Sequence, residues 1–98
     1  MPKYILLSSL TPEGRKTLKE RPHRIREVGK EIEAMGVKVL NQFATLGSFD
    51  FVNIVEAPDN DTISKLSIEL TSRGTIQITT LPAIDIDSFI KHLKIKND

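Results

Sequence analysis

Residues Val37 to Ala57, VKVLNQFATLGSFDFVNIVEA, are dense in β-branched and aromatic residues on both sides of Gly47-Ser48. Two such runs joined by a glycine-containing pair spell a β-hairpin, the glycine supplying the positive φ that a two-residue turn demands. With that turn Leu46 stands opposite Phe49, every cross-strand pair of numbers adds to 95, and Gln42 faces Asn53. Alternation then places Val39, Phe43, Val52 and Ile54 on one face and Leu40, Gln42, Phe49, Phe51, Asn53 and Val55 on the other. Neither face is plainly wet.

Upstream, Tyr4 to Leu10 is short, apolar and bounded by Pro2 and Pro12, so it reads as a central strand buried on both faces. Thr11-Pro12-Glu13 supplies a helix cap, a proline at the first helical position and an acid in the first turn. The apolar stripe Leu18, Ile25, Val28, Ile32 and Met35 keeps one side of that helix toward a core, and Gly36 stops it. Pro22 falls within the stripe and predicts a break near residues 20–22. Downstream, Pro58-Asp59-Asn60-Asp61 turns into a helix with Ile63, Leu66 and Leu70 on one face, closed by Gly74. Thr75 to Leu81 alternates as a half-buried strand stopped by Pro82, and Asp85 caps a terminal helix with Ile86, Phe89, Ile90 and Leu93 on one side.

The order strand, helix, strand, strand, helix, strand predicts one ferredoxin-like βαββαβ sandwich over residues 1–98: a four-stranded antiparallel sheet, two main helices on one face, and an extra C-terminal helix. The uncovered face is expected to carry Leu40, Phe49, Phe51 and Val55, an apolar patch that a monomer seldom exposes. Self-association into a homodimer or higher homo-oligomer is therefore expected.

The 98 residues suit one domain, and the 39 % hydrophobic and 28 % charged content excludes disorder and collagen-like repeats. No apolar run exceeds Tyr4 to Leu7, so no segment spans a bilayer, and the short N-terminal run lacks a small-residue cleavage site, which makes the cytoplasm the expected location. Without cysteine there is no disulfide, thiolate metal site or cysteine nucleophile. The net charge of +1 conceals nine basic against five acidic residues in 1–46 and two against seven in 47–90. Such an asymmetry can steer self-association, whereas the near-neutral total argues against nucleic acid as a partner.

At Gly47-Ser48-Phe49-Asp50 the chain resembles the GYD domain family, with Phe49 in place of the commoner tyrosine of its glycine-aromatic-aspartate signature. Thr11-Pro12-Glu13-Gly14, the run Leu46 to Pro58 and Gly74 before the last strand extend the likeness from Tyr4 to Pro82. The resemblance implies a ferredoxin-like fold related to the dimeric α/β barrels, in which the open sheet faces of two subunits meet. It implies no settled activity.

Within this frame Gly47 is the structural turn residue. Gln42, Asn53, Phe49, Asp50 and Phe51 are the candidate ligand-binding or interface residues, the ligand being a small molecule held between the sheet and a partner subunit. Asp50 faces Thr45 and reads first as a turn hydrogen-bonder, and Gln42 and Asn53 as a mutually bonded amide pair. Arg24, with Arg21 and Arg26 beside His23, can grip a carboxylate or phosphate. His23 and His92 have no metal-ligand spacing, no metal or cofactor is called for, and no catalytic group is identified. Two other readings stand beside the binding module: a cofactor-free enzyme of the dimeric α/β barrel type, and single-stranded RNA binding by Phe49 and Phe51, with Tyr4, as in an RNA recognition motif.

Overall fold

Strand β1 (Lys3–Leu10) buries Tyr4, Leu6 and Ser8 while Ile5 and Leu7 are only half-buried. That alternation belongs to a strand with helices on one side only. The computed structural model describes residues 1–94; it continues with α1 (Pro12–Glu20), α2 (Arg24–Ala34), β2 (Lys38–Ala44), β3 (Phe51–Glu56), α3 (Asn60–Thr71), β4 (Ile76–Ala83) and α4 (Ile86–Lys94). The strands form one antiparallel sheet ordered β2-β3-β1-β4, so β1 is central as expected. This is the ferredoxin-like α+β sandwich with its first helix divided in two and α4 added at the end.

The divisions follow from local chemistry. Thr11 is extended, its Oγ1 accepts the Gly14 N–H at 3.1 Å, and Pro12 opens α1. The proline at 22 holds Arg21 out of the helical region, at φ −137° and ψ 74°, which separates α1 from α2. Asp59 caps α3 by accepting from the Thr62 N–H at 2.8 Å and the Thr62 hydroxyl at 2.7 Å; these bonds hold the Asp59 carboxyl below its ordinary value. The core joins Tyr4, Leu6 and Val55 of the sheet to Ile32 of α2 and Leu66 and Leu70 of α3.

Gly14 explains the Thr11-Pro12-Glu13-Gly14 segment. A Cβ there would stand 2.0 Å from the Thr75 carbonyl oxygen, so only glycine lets the first turn of α1 lie against the start of β4. The Thr11 N–H donates to the same carbonyl at 3.0 Å and the Thr11 hydroxyl to the Gly74 carbonyl at 2.8 Å, fastening the contact.

Three expectations need correction. The hairpin strands stop at Ala44 and resume at Phe51, so Leu46 and Phe49 do not close a two-residue turn. Gly47 has φ +105° within a wider loop, whose base is the Thr45 N–H donating to the Asp50 carbonyl at 2.8 Å. The register summing to 95 holds from Asn41 to Ala44, and Gln42 does pair with Asn53; a bulge at Leu40 then shifts Val39 onto Val55. Secondly, the uncovered face is the opposite one. Val55 is fully buried beneath the helices and Phe51 lies on that same side, because β3 shares its phase with Tyr4, Leu6 and Ser8 of β1. The open face instead carries Ile5, Leu7, Val52 and Ile54, all half-buried, with Phe43 54 % and Leu81 43 % exposed. Thirdly, Pro82 does not stop β4: it pairs with Tyr4 inside the strand, which an edge position permits because the missing N–H can face away from the ladder.

Helix α4 is amphipathic, yet none of its residues is buried. Ile86, Phe89 and Ile90 are 68 %, 48 % and 42 % exposed.

Candidate small-molecule site between helices and sheet

A cavity of about 210 Å³ lies above the helix-covered face, lined from α1 and α2 and from Leu70 of α3 and Arg73 just beyond it. Its walls are apolar: Leu6 from β1, Leu18 from α1, Ile25 and Val28 from α2, Phe51 from β3 and Ile78 from β4. Ser8, Asn53 and Gln42 bring hydrogen-bonding groups to it from three adjacent strands. Ser8 is only 5 % exposed, and among the described residues no side chain or backbone group bonds its hydroxyl. The expected mutual bond between the Gln42 and Asn53 amides is likewise absent among the described residues, although the two stand opposite each other.

Two arginines complete the lining, and both are engaged. Arg24 Nη1 donates to Glu31 Oε1 at 3.1 Å, and the Arg73 guanidinium, just beyond α3, pairs with the other oxygen of the same carboxylate. The bond from Arg73, with its charge and the lesser contribution of Arg24, holds the Glu31 carboxyl below its ordinary 4.5 against the opposing effect of desolvation. Glu31 also raises the Arg73 guanidinium above its ordinary value. Glu27 and Glu69 add further contacts at 3.5 and 3.8 Å. The ion cluster ties α2 to the end of α3 across the cavity.

Of the residues singled out from sequence, Arg24, Gln42, Phe51 and Asn53 thus meet at one cavity. It lies inside one chain, beneath the helices, rather than between the sheet and a partner. Phe49 and Asp50 lie outside it. The Phe49 carbonyl accepts the Thr45 hydroxyl at 2.7 Å. Asp50 Oδ2 accepts the Leu10 N–H at 2.7 Å and an Arg15 contact at 3.5 Å, while the Asp50 N–H donates to the Ser8 carbonyl at 2.8 Å. Asp50 therefore ties the start of β3 to the end of β1 and the first turn of α1. Both Tyr4, buried and donating to Asn60 Oδ1 at 2.5 Å, and Phe51 lie under the helices, so two of the aromatics named for RNA stacking do not stand on the open face, whose exposed aromatic is Phe43 of the edge strand β2. Among the described residues no group of histidine or acidic side chains could hold a metal ion. Sequence reasoning missed Ser8 and Arg73. Ser8 carried no distinguishing signal, since Ser9 stands beside it in the other phase of the strand, and Arg73 carried none, since its partner lies 42 positions earlier.

The GYD domain model matches residues 4–93. The chain belongs to the GYD domain family. A relative from Thermus thermophilus, named glutamine synthetase and cystathionine beta-lyase binding protein, is 46 % identical over 95 residues, 96 % of this chain and 100 % of the relative. In this GYD protein the signature residues Gly47, Phe49 and Asp50 build the β2–β3 loop and its attachment to β1. No described helix is long and apolar enough to cross a membrane.

Proposed function

We propose that this GYD protein is a homo-oligomeric binding module that pairs through its open sheet face and, once assembled, docks other proteins. The observation that carries the proposal is the open face itself. Ile5, Leu7, Val52 and Ile54 form a continuous apolar band flanked by Phe43 and Leu81, while α1, α2 and α3 occupy the other side of the sheet. A side chain of this kind contributes roughly 1.5 to 3 kcal/mol when taken from full exposure to full burial; these are half-buried already, and pairing two faces would remove the apolar area they still expose. The exposed apolar side of α4 gives a second surface for contact with a copy or with a client protein. The name of the Thermus thermophilus relative supports glutamine synthetase and cystathionine beta-lyase as the clients to try first.

Sedimentation velocity of the purified chain, alone and mixed with purified glutamine synthetase or cystathionine beta-lyase, tests the proposal. An assembled chain that moves with either enzyme is expected. A monomer that moves with neither would end it.

A further inference from the structure

We infer that the cavity between the helices and the sheet binds an uncharged small molecule: an apolar ring bearing one amide-like edge that both donates and accepts hydrogen bonds. The size comes first. An apolar cavity near 150 Å³ accommodates benzene, so about 210 Å³ leaves room for a single ring and a small head group. The walls supplied by Leu6, Leu18, Ile25, Val28, Phe51 and Ile78 suit such a ring.

The head group follows from what the cavity leaves unpaired. The hydroxyl of Ser8, in a residue 95 % removed from solvent, and the amide of Asn53 have no partner among the described residues, and neither has the amide of Gln42. Asn53 is half-buried and Gln42 exposed, so these polar atoms are open to the cavity rather than sealed away from solvent; each of the three can donate as well as accept, so a ligand edge can take the place of solvent on them. They lie on β1, β3 and β2 in one phase of the sheet, so one planar ligand edge can meet neighbouring groups together. An anionic head is disfavoured by the rim. Arg24 and Arg73 both pair with Glu31, and Glu27, Glu69 and the Arg21 that pairs with Glu27 bring the group to three cations against three carboxylates, so no arginine charge is left over. A carboxylate would have to break an existing ion pair, whereas an amide meets three groups that bond no other protein group among the described residues. The site lies within a single chain and does not depend on pairing of the open faces.

Three probes with one ring and different heads separate the possibilities: benzamide, benzoate and toluene, titrated into the isotopically labelled chain while the side-chain amide resonances of Asn53 and Gln42 are followed by NMR. Benzamide should shift those resonances saturably and bind at least tenfold more tightly than either of the others. Ser8→Ala, which removes one oxygen, and Asn53→Leu should each weaken benzamide severalfold or more and leave toluene unchanged or tighter. Ser8→Ala keeps the test intact if Asn53→Leu fails to fold. Tightest binding by benzoate would overturn the inference in favour of the arginines, and equal binding of toluene and benzamide would show that the polar floor plays no part. No shift from any probe at its solubility limit would remove the cavity as a ligand site.

Discussion

Replacing Gly14 by alanine adds a single carbon, and the structure gives that carbon no room. The new Cβ would stand 2.0 Å from the Thr75 carbonyl oxygen and 2.9 Å from its carbon, where contacts below 3.0 Å essentially never occur. Both obstacles are backbone, so relief requires α1 to move away from the start of β4 by an ångström or more. Overpacking of this kind costs about 1 to 3 kcal/mol. The movement also lengthens the bonds from the Thr11 N–H and hydroxyl to Thr75 and Gly74, at about 1 kcal/mol each. Alanine returns up to about 1 kcal/mol through better helix propensity. The net cost is about 2 to 4 kcal/mol, which for a domain of this size lowers the melting temperature by roughly 10 to 30 °C. Gly29→Ala is the matched control, because a Cβ in the middle of α2 meets nothing within 4 Å; it should raise the melting temperature by several degrees. Thermal melts followed by circular dichroism, all at one protein concentration because assembly shifts the midpoint, supply the comparison. If Gly14→Ala melted within a few degrees of the parent, the argument that glycine is required for the α1–β4 contact would fail.

Asp50→Asn keeps an acceptor for the Leu10 N–H and loses only the contact with a well-exposed Arg15, so urea melts should show little change; Asp50→Ala leaves that N–H unpaired and should cost about 1 to 3 kcal/mol. The Glu31 carboxyl is held below its ordinary value by Arg73 and then Arg24, so its contribution to stability is complete above pH 4.5 and disappears as the pH falls through its lowered folded value. Glu31→Gln should consequently be less stable than the parent near neutrality, with the difference shrinking on acidification; a gap that stayed constant down to acid denaturation would refute the assignment.

The order of elements is legible because their ends are marked chemically. Thr11-Pro12 opens α1, Pro22 divides it from α2, Asp59 caps α3, and Gly36 and Gly74 take positive φ where helices give way to strands. The face of the sheet that the helices cover is not legible. Tyr4 and Leu6 on one side of β1 are matched by Ile5 and Leu7 on the other, and Val55 is matched by Ile54, so apolar alternation offers two equivalent answers. The bulge at Leu40 compounds this by reversing the phase of Val39 relative to the register read from the turn. The turn itself differs from the expected pair because Asp50 uses its amide and carboxylate on β1, a partner that hairpin reasoning cannot include. Four of the six candidate site residues meet at one cavity because the Gln42–Asn53 pairing depends only on the register beyond the bulge, which the sequence pattern places correctly. The Arg73–Glu31–Arg24 cluster joins residues from α2 and the end of α3, and no local pattern announces it.

The molar mass of the purified chain at tens of micromolar by light scattering, measured beside Val52→Asp and Ile54→Asp, tests the pairing of open faces most directly. Both substitutions place a carboxylate at the centre of the proposed interface, on half-buried positions that face away from the helices. The expected result is a parent with at least twice the 11.0 kDa chain mass and variants that run as folded monomers with unchanged circular dichroism. A monomeric parent, or folded variants that keep the parent's mass, would contradict it.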